Sequence, residues 1–194
     1  DKIGNPLSPY AVTKYVNELY ASVFSKTYEF HTIGLRYFNV FGPKQNPKGP
    51  YAAVIPLFIE AALQKKAPYI NGDGETSRDF TFVENAVQAN IKAMLANDIH
   101  EHEVVNIAFG ERTTLNQLWD RITEIAGTEL EAEYREERKG DVRHSLADIS
   151  KANKLVGYKP EFSVLEGLGI AYEWYRTHQI STPKTPLLGQ GGVV

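Results

Sequence analysis

The chain has 194 residues, a formal net charge of −3 and no cysteine. These values exclude disulfides, thiolate metal sites and a cysteine nucleophile, and they give no bulk attraction to nucleic acid. Its 42% hydrophobic and 23% charged residues are those of a globular domain, and no apolar run reaches membrane-spanning length.

Ser8 is a good N-cap and Pro9 a favoured first helical residue. Val12, Tyr15, Val16, Leu19, Tyr20, Val23 and Phe24 then recur at helical spacing, which predicts a helix over 9–27. A short apolar strand over 32–37 follows, then a Gly/Pro-rich loop from Phe41 to Pro50. Val54 to Gln64 reads as a helix and Tyr69-Ile70 as a strand. Asn71-Gly72-Asp73-Gly74 is turn chemistry, because Asn and Gly tolerate positive φ. Residues 79–83 alternate like a strand. Residues 83–95 are helical, with Ala86, Val87, Asn90, Ile91 and Met94 on one face. A strand over 104–108 and a helix capped by Thr114 and ending near Gly127 come next. Residues 131–137 are charge-rich. A final helix over 163–178 carries Tyr172, Trp174 and Tyr175, which points to partial burial, and the tail from Ser181 is Pro/Gly-rich. Strands alternate with helices, so the class is α/β or α+β, and the first helix and strand read as the last units of a parallel sheet.

Tyr10 and Lys14 project from the same face of the first helix. A free phenol, with a pKa of about 10, is a poor base at neutral pH. A fixed ammonium nearby favours the phenolate and makes a proton acceptor of it. The spacing alone is common by chance. It gains meaning from three further blocks that follow in order: Arg36-Tyr37-Phe38-Asn39-Val40-Phe41-Gly42-Pro43, Gly72-Asp73-Gly74-Glu75-Thr76-Ser77-Arg78-Asp79-Phe80, and Arg138-Lys139-Gly140-Asp141-Val142-Arg143-His144-Ser145.

With Ser8-Pro9-Tyr10-Ala11-Val12-Thr13-Lys14, these blocks resemble the extended short-chain dehydrogenase/reductase family over roughly residues 5–178. The nucleotide-sugar 4-epimerases are the most similar group, in particular the bacterial UDP-N-acetylglucosamine 4-epimerase branch. The resemblance implies an α/β fold: the end of a doubly wound Rossmann-type domain in residues 1–50, plus a smaller α/β substrate-binding domain in 51–180. The two are interleaved around 78–108, and 181–194 form a flexible tail. It implies NAD as cofactor and a UDP-sugar as substrate. NAD takes hydride from C4 of the sugar while Tyr10 takes the hydroxyl proton. The 4-keto sugar turns over, and hydride returns to its other face.

The resemblance also implies site roles. Tyr10 and Lys14 are the catalytic pair, and with Tyr37 and Phe38 they meet the nicotinamide end; Tyr37 and Phe38 read equally well as core aromatics. Asn39 contacts the nucleotide sugar. Arg78 suits the diphosphate through its planar fork, the bland reading being a surface pair with Asp73 or Glu75. Arg138 reads the same way or as part of a solvated charged run, and Asp141 accepts from a ribose hydroxyl or orients Arg138. The backbone of Ala53 and Val54 meets the UDP, and Tyr69 and Asn71 match the uracil stretch. Gln45 either reaches the sugar or faces solvent. Ser145 matches a position whose small side chain leaves room for a 2-acetamido group. His144 and Asp148 have no assigned role, and no metal-ligand spacing is present.

A dinucleotide fold needs a Gly-rich turn between its first strand and helix. Gly72-Asp73-Gly74 lacks the third glycine, Gly189-Gln190-Gly191-Gly192 precedes no helix, and the family's catalytic Ser/Thr belongs ahead of Tyr10. The chain therefore reads as the C-terminal part of a cytoplasmic UDP-N-acetylglucosamine/UDP-N-acetylgalactosamine 4-epimerase of polysaccharide biosynthesis, with UDP-glucose/galactose as further substrates. This piece is expected to be inactive alone. No nucleic-acid or membrane partner is expected, and a homodimer would form through the Tyr10 helix with Leu19, Val23 and Phe24. The alternatives are a UDP-hexosaminuronate 4-epimerase, with Arg143 or Gln45 meeting the carboxylate, and a non-catalytic UDP-binding or dimerisation module.

Overall fold

A computed structural model describes residues 6, 8–47, 53–97, 99–137 and 142–179. Helix α1 (Pro9–Tyr28) starts at Ser8, whose hydroxyl accepts the Ala11 N–H at 3.2 Å, and ends at a left-handed Glu29. It leads into β1 (Ile33–Tyr37) and the short β2 (Val40–Phe41). After α2 (Val54–Leu63) come β3 (Tyr69–Asn71), β4 (Ser77–Arg78) and β5 (Thr81–Phe82), then α3 (Val83–Met94). Strands β6 (Glu103–Ile107) and β7 (Thr113–Thr114), α4 (Leu115–Ala126), β8 (Glu133–Arg135), α5 (Ser150–Val156) and α6 (Val164–Gln179) complete the order.

The architecture is α/β, built on parallel pairs. β1 runs parallel to β6 with Ile33 opposite Glu103 and Tyr37 opposite Ile107. β2 pairs parallel with β5 and β3 with β8, while β4 pairs antiparallel with β7. The larger core joins α2, α4 and α6 to the β2–β5 aromatics, with Ile59, Leu118 and Leu168 fully buried. The smaller core gathers Val105, Ile107, Ala89, Ala152 and Tyr158 beneath the β1–β6 pair. Residues 83–107 thus bring β6 back beside β1.

Several expectations need correction. The single strand expected over 79–83 is two strands separated by Asp79 and Phe80, and Val83 begins α3. The predicted apolar face of α3 is mostly outward: Val87, Ile91 and Met94 are exposed, while Asn85, Ala86 and Ala89 face the interior. Phe41 belongs to β2 and to the core rather than to a loop. Within the charge-rich run, 133–135 form β8, and α5 and β7 had no counterpart in the sequence reading. The apolar side chains of α1 are largely exposed, with Ser25 its one buried residue; the bidentate Glu18–Arg36 ion pair, at 2.7 and 2.8 Å, ties the helix to β1. The tail from Ser181 lies outside the described residues.

Candidate functional site

Tyr10 sits in the first turn of α1 with its ring exposed. The Lys14 ammonium lies over that ring, 5.1 Å from its centre, as the one-turn spacing requires. The pair therefore exists as a unit, held open to its surroundings.

A second constellation forms around residues 77–79. Ser77 is buried, and its carbonyl accepts both the Ser145 N–H at 3.1 Å and the Arg78 guanidinium at 2.9 Å. Its own N–H donates to Arg143 O at 2.9 Å, and its hydroxyl meets His144 Nδ1 at 2.9 Å. The segment 143–145 is thereby laid along β4, with Ser77 and His144 bridged in parallel. The Asn39 amide donates to the Asp79 carbonyl at 3.1 Å, and Thr81 N–H returns to Asn39 O. Asn39 itself takes a positive φ of 37°, a conformation that Asn tolerates better than most residues. Arg78, Asn39 and Ser145, far apart in the chain, are thus joined through three consecutive residues.

A third group lies at β3–β8. The Arg135 guanidinium carbon stands 3.0 Å from the centre of the exposed Tyr69 ring, and Asn71 is opposite Arg135. The turn after Asn71 is closed by Asp73, which accepts the Glu75 N–H at 2.9 Å. Arg143 pairs with Asp73 and holds its carboxyl below the usual carboxylate range. Asn116 donates to Asp73 O and Glu75 Oε1 and accepts from Tyr134. A Cβ on Gly74 would fall 1.9 Å from Asn116 Oδ1. A side chain at 74 is therefore excluded by Asn116, which closes over that side of the turn.

Other predicted residues stand as follows. Tyr37 is about half exposed and its hydroxyl donates to Asn90 at 2.9 Å, while the Phe38 N–H bonds Ile107 O. Neither belongs to a buried cluster. Gln45 turns inward: its side-chain amide donates to Val40 O at 3.3 Å, and its main-chain carbonyl accepts from the Tyr175 hydroxyl. Ala53 is the N-cap of α2 without a side-chain cap, and Val54 is the first helical residue, so the leading amides of α2 have no capping side chain. Arg138 and Asp141 lie outside the described residues. His144 bonds Ser77, and Asp148 Oδ1 accepts the Ser150 N–H at 2.8 Å at the start of α5. The partner of His144 is 67 residues away and leaves no trace in the sequence, whereas Asp148 bonds two residues ahead, a local turn that its sequence neighbourhood permits.

No helix among the described residues is long and apolar enough to cross a membrane.

The model of the NAD dependent epimerase/dehydratase family matches residues 1–108. A putative UDP-glucose 4-epimerase of Methanocaldococcus jannaschii is 40% identical over 174 residues, covering 90% of this chain and 55% of that protein. Among solved structures, the UDP-glucose 4-epimerase of Thermotoga maritima with UDP-glucose has a TM-score of 0.85 and 41% identity, covering 90% of this chain and 55% of that one. The UDP-N-acetylglucosamine 4-epimerase of Methanobrevibacter ruminantium in complex with UDP-N-acetylmuramic acid has a TM-score of 0.85 and 40% identity, covering 91% and 56%. The chain spans about half the length of the curated relatives it matches.

Proposed function

Because this chain belongs to the NAD dependent epimerase/dehydratase family, we propose that it is the sugar-binding and proton-transferring portion of a UDP-N-acetylhexosamine 4-epimerase. The observation that carries the reading is the 77–79 junction, which brings Arg78, Asn39 and Ser145 to one place. In this reading Arg78 grips the diphosphate with paired, charge-assisted bonds. The α2 amides from Val54 onward add donors, and Tyr69 and Asn71 take the uracil end. Several of the relatives it matches are UDP-sugar 4-epimerases, which supports the coarser reading.

NAD, when bound, supplies the reversible oxidation at the sugar carbon. The residues here fit the nicotinamide-ribose end of such a cofactor: an exposed hydroxyl and an exposed ammonium side by side at Tyr10 and Lys14. The Gly72-Asp73-Gly74 turn lacks the third glycine of a dinucleotide turn and leads into β4 rather than a helix, so it does not fit the pyrophosphate end. Tyr10 moves the proton of the sugar hydroxyl, and Lys14 places positive charge beside its ring and toward the ribose. The 194 residues alone are accordingly expected to give no turnover. We place the whole protein in the cytoplasm.

Ser145, small and half-buried, favours the 2-acetamido sugars. A UDP-hexosaminuronate reading needs a partner for the sugar carboxylate. Arg143 is engaged by Asp73 and Glu137 and the Gln45 amide by Val40, which weighs against it. The exposed apolar residues Leu19, Val23 and Phe24 of α1 support a homodimer through that helix; sedimentation of wild type against Phe24→Glu tests it, and an unchanged monomer in both would discard it.

Three substitutions in the full-length protein test the reading. Tyr10→Phe should lower kcat by about 10²–10⁴-fold with UDP affinity retained. Arg78→Ala should weaken UDP. Ser145→Tyr should lose UDP-N-acetylglucosamine turnover while keeping UDP-glucose. Equal loss on both sugars would remove Ser145 as the basis for the acetamido preference.

A further inference from the structure

We propose that Asp79 is the positioning residue that sets the loops of the UDP-sugar pocket relative to one another, a role that rests on the pocket reading above. Asp79 is fully buried between β4 and β5. Its Oδ1 accepts the N–H groups of Phe109 at 3.1 Å and Gly110 at 3.2 Å. Its Oδ2 accepts Gly110 at 3.1 Å and Ala147 at 3.2 Å. Its own carbonyl accepts the Asn39 side chain. One residue therefore holds the β1–β2 link, the β6–β7 turn and the segment two residues beyond Ser145, and it directly follows Arg78.

A buried carboxylate is expensive to desolvate, and here the main-chain N–H groups of Phe109, Gly110 and Ala147 offset that cost. Burial pushes the Asp79 carboxyl up from its ordinary range, against the pull of the three amides. The group it accepts from is backbone, in two segments that have no strand pairing with each other. A residue that accepts on both oxygens from separate loops fixes their relative position, as no apolar side chain can. Tyr158 braces the same turn from beneath: its hydroxyl donates to Ala108 O at 2.9 Å, and burial with the nearby Asp79 charge keeps that phenol protonated.

The geometry also explains why the acid and its amide are not equivalent. Asn has nearly the same shape, but its NH₂ group would meet donors in either orientation, Phe109 and Gly110 in one and Gly110 and Ala147 in the other. Asp79→Asn therefore keeps the packing and releases one loop.

The test uses the full-length protein, UDP as the probe, and Ile122→Val in the α4 core as a control for general destabilisation. Calorimetry is run at a temperature where each variant is folded. Asp79→Asn should raise the UDP Kd by about tenfold or more, the cost of one unmet buried donor. It should also speed amide exchange at Phe109, Gly110 and Ala147 while α4 stays protected, and its effect should be less than additive with Arg78→Ala. Ile122→Val should leave the Kd unchanged. A Kd for Asp79→Asn within twofold of wild type, unaltered exchange at the three amides, or an equal loss in Ile122→Val would each overturn the positioning role. Absence of UDP binding by the wild-type protein would overturn the pocket reading instead, and the exchange data would still judge Asp79. If Asp79→Asn does not fold, Asp79→Glu, which keeps both acceptors but moves them by a methylene, should weaken UDP several-fold; wild-type affinity would overturn the role.

Discussion

At the scale of single residues, polar side chains carry much of the long-range wiring. Asn85 is fully buried on α3, accepts the N–H groups of Glu161 and Phe162 at 2.9 and 3.0 Å, and donates to Phe162 O at 2.8 Å. Truncation to alanine strands all three backbone groups. Asn85→Ala is expected to cost about 3 kcal/mol, read by urea denaturation, with the 161–163 amides losing protection first. Gly74 is the second such position. Its φ is 77° and a Cβ would enter Asn116, so Gly74→Ala should cost about 2–3 kcal/mol in the same assay. Arg78, Asn39 and Ser145, which the structure joins at 77–79, sit in blocks that the sequence singles out. Asp79 stands in the same block, yet its role was not legible: its partners are main-chain groups some 30 and 68 residues away, and backbone amides leave no trace in a sequence. The one available signal was an acid inside an otherwise apolar, strand-like stretch.

At the scale of elements, long amphipathic pieces with good caps were readable and short or polar ones were not. α4 shows this best: the Thr114 hydroxyl accepts the Gln117 N–H and the Gln117 side chain answers to the Thr114 N–H, closing a capping box, and Gly127 ends the helix at φ 63°. α5 has only seven residues and an N-cap, Ile149, without a side-chain bond; its left-handed Gly157 marks the end but no long apolar period marks the body. β8 is exposed throughout, so its sequence has the charges of a solvated face rather than the alternation of a strand. The face of α3 was misread because helical periodicity identifies an apolar stripe and not what covers it. α6 illustrates element packing. Its Gly167 faces Phe82 and Phe41, and a Cβ there would come within 2.6 Å of the Phe82 ring. Alanine ordinarily favours a helix over glycine. Here the overpacking should outweigh that gain, and Gly167→Ala is expected to lower stability by about 1–2 kcal/mol, seen as a reduced Tm.

At the scale of the whole molecule, acid stability is set by carboxyls pulled in opposite directions. Asp73 is held below its ordinary range first by Arg143 and then by the Glu75 amide. It contributes stability above its unfolded pKa of about 3.9 and loses it as pH falls through the lower folded value. Asp79 is raised by burial, so its ionised form is a cost at neutral pH that disappears as pH falls through its folded value. Melting between pH 3 and 6 should therefore show a shallower acid loss in Arg143→Gln than in wild type. Asp79→Asn, lacking the compensating proton uptake, should show a steeper one.

The parallel β1–β6 ladder joins residues seventy positions apart, as does the bond between Thr32 and His102 beside it. On a ribosome, β1 would emerge roughly 4–14 s before the strand it needs. During that interval β6, its one strand partner among the described residues, has yet to be made, while β2, β3, the core helix α2 and half the large core precede it in the chain. Pulse-labelled exchange during refolding should find Ile33–Tyr37 gaining protection together with Val105–Ile107 and later than α4.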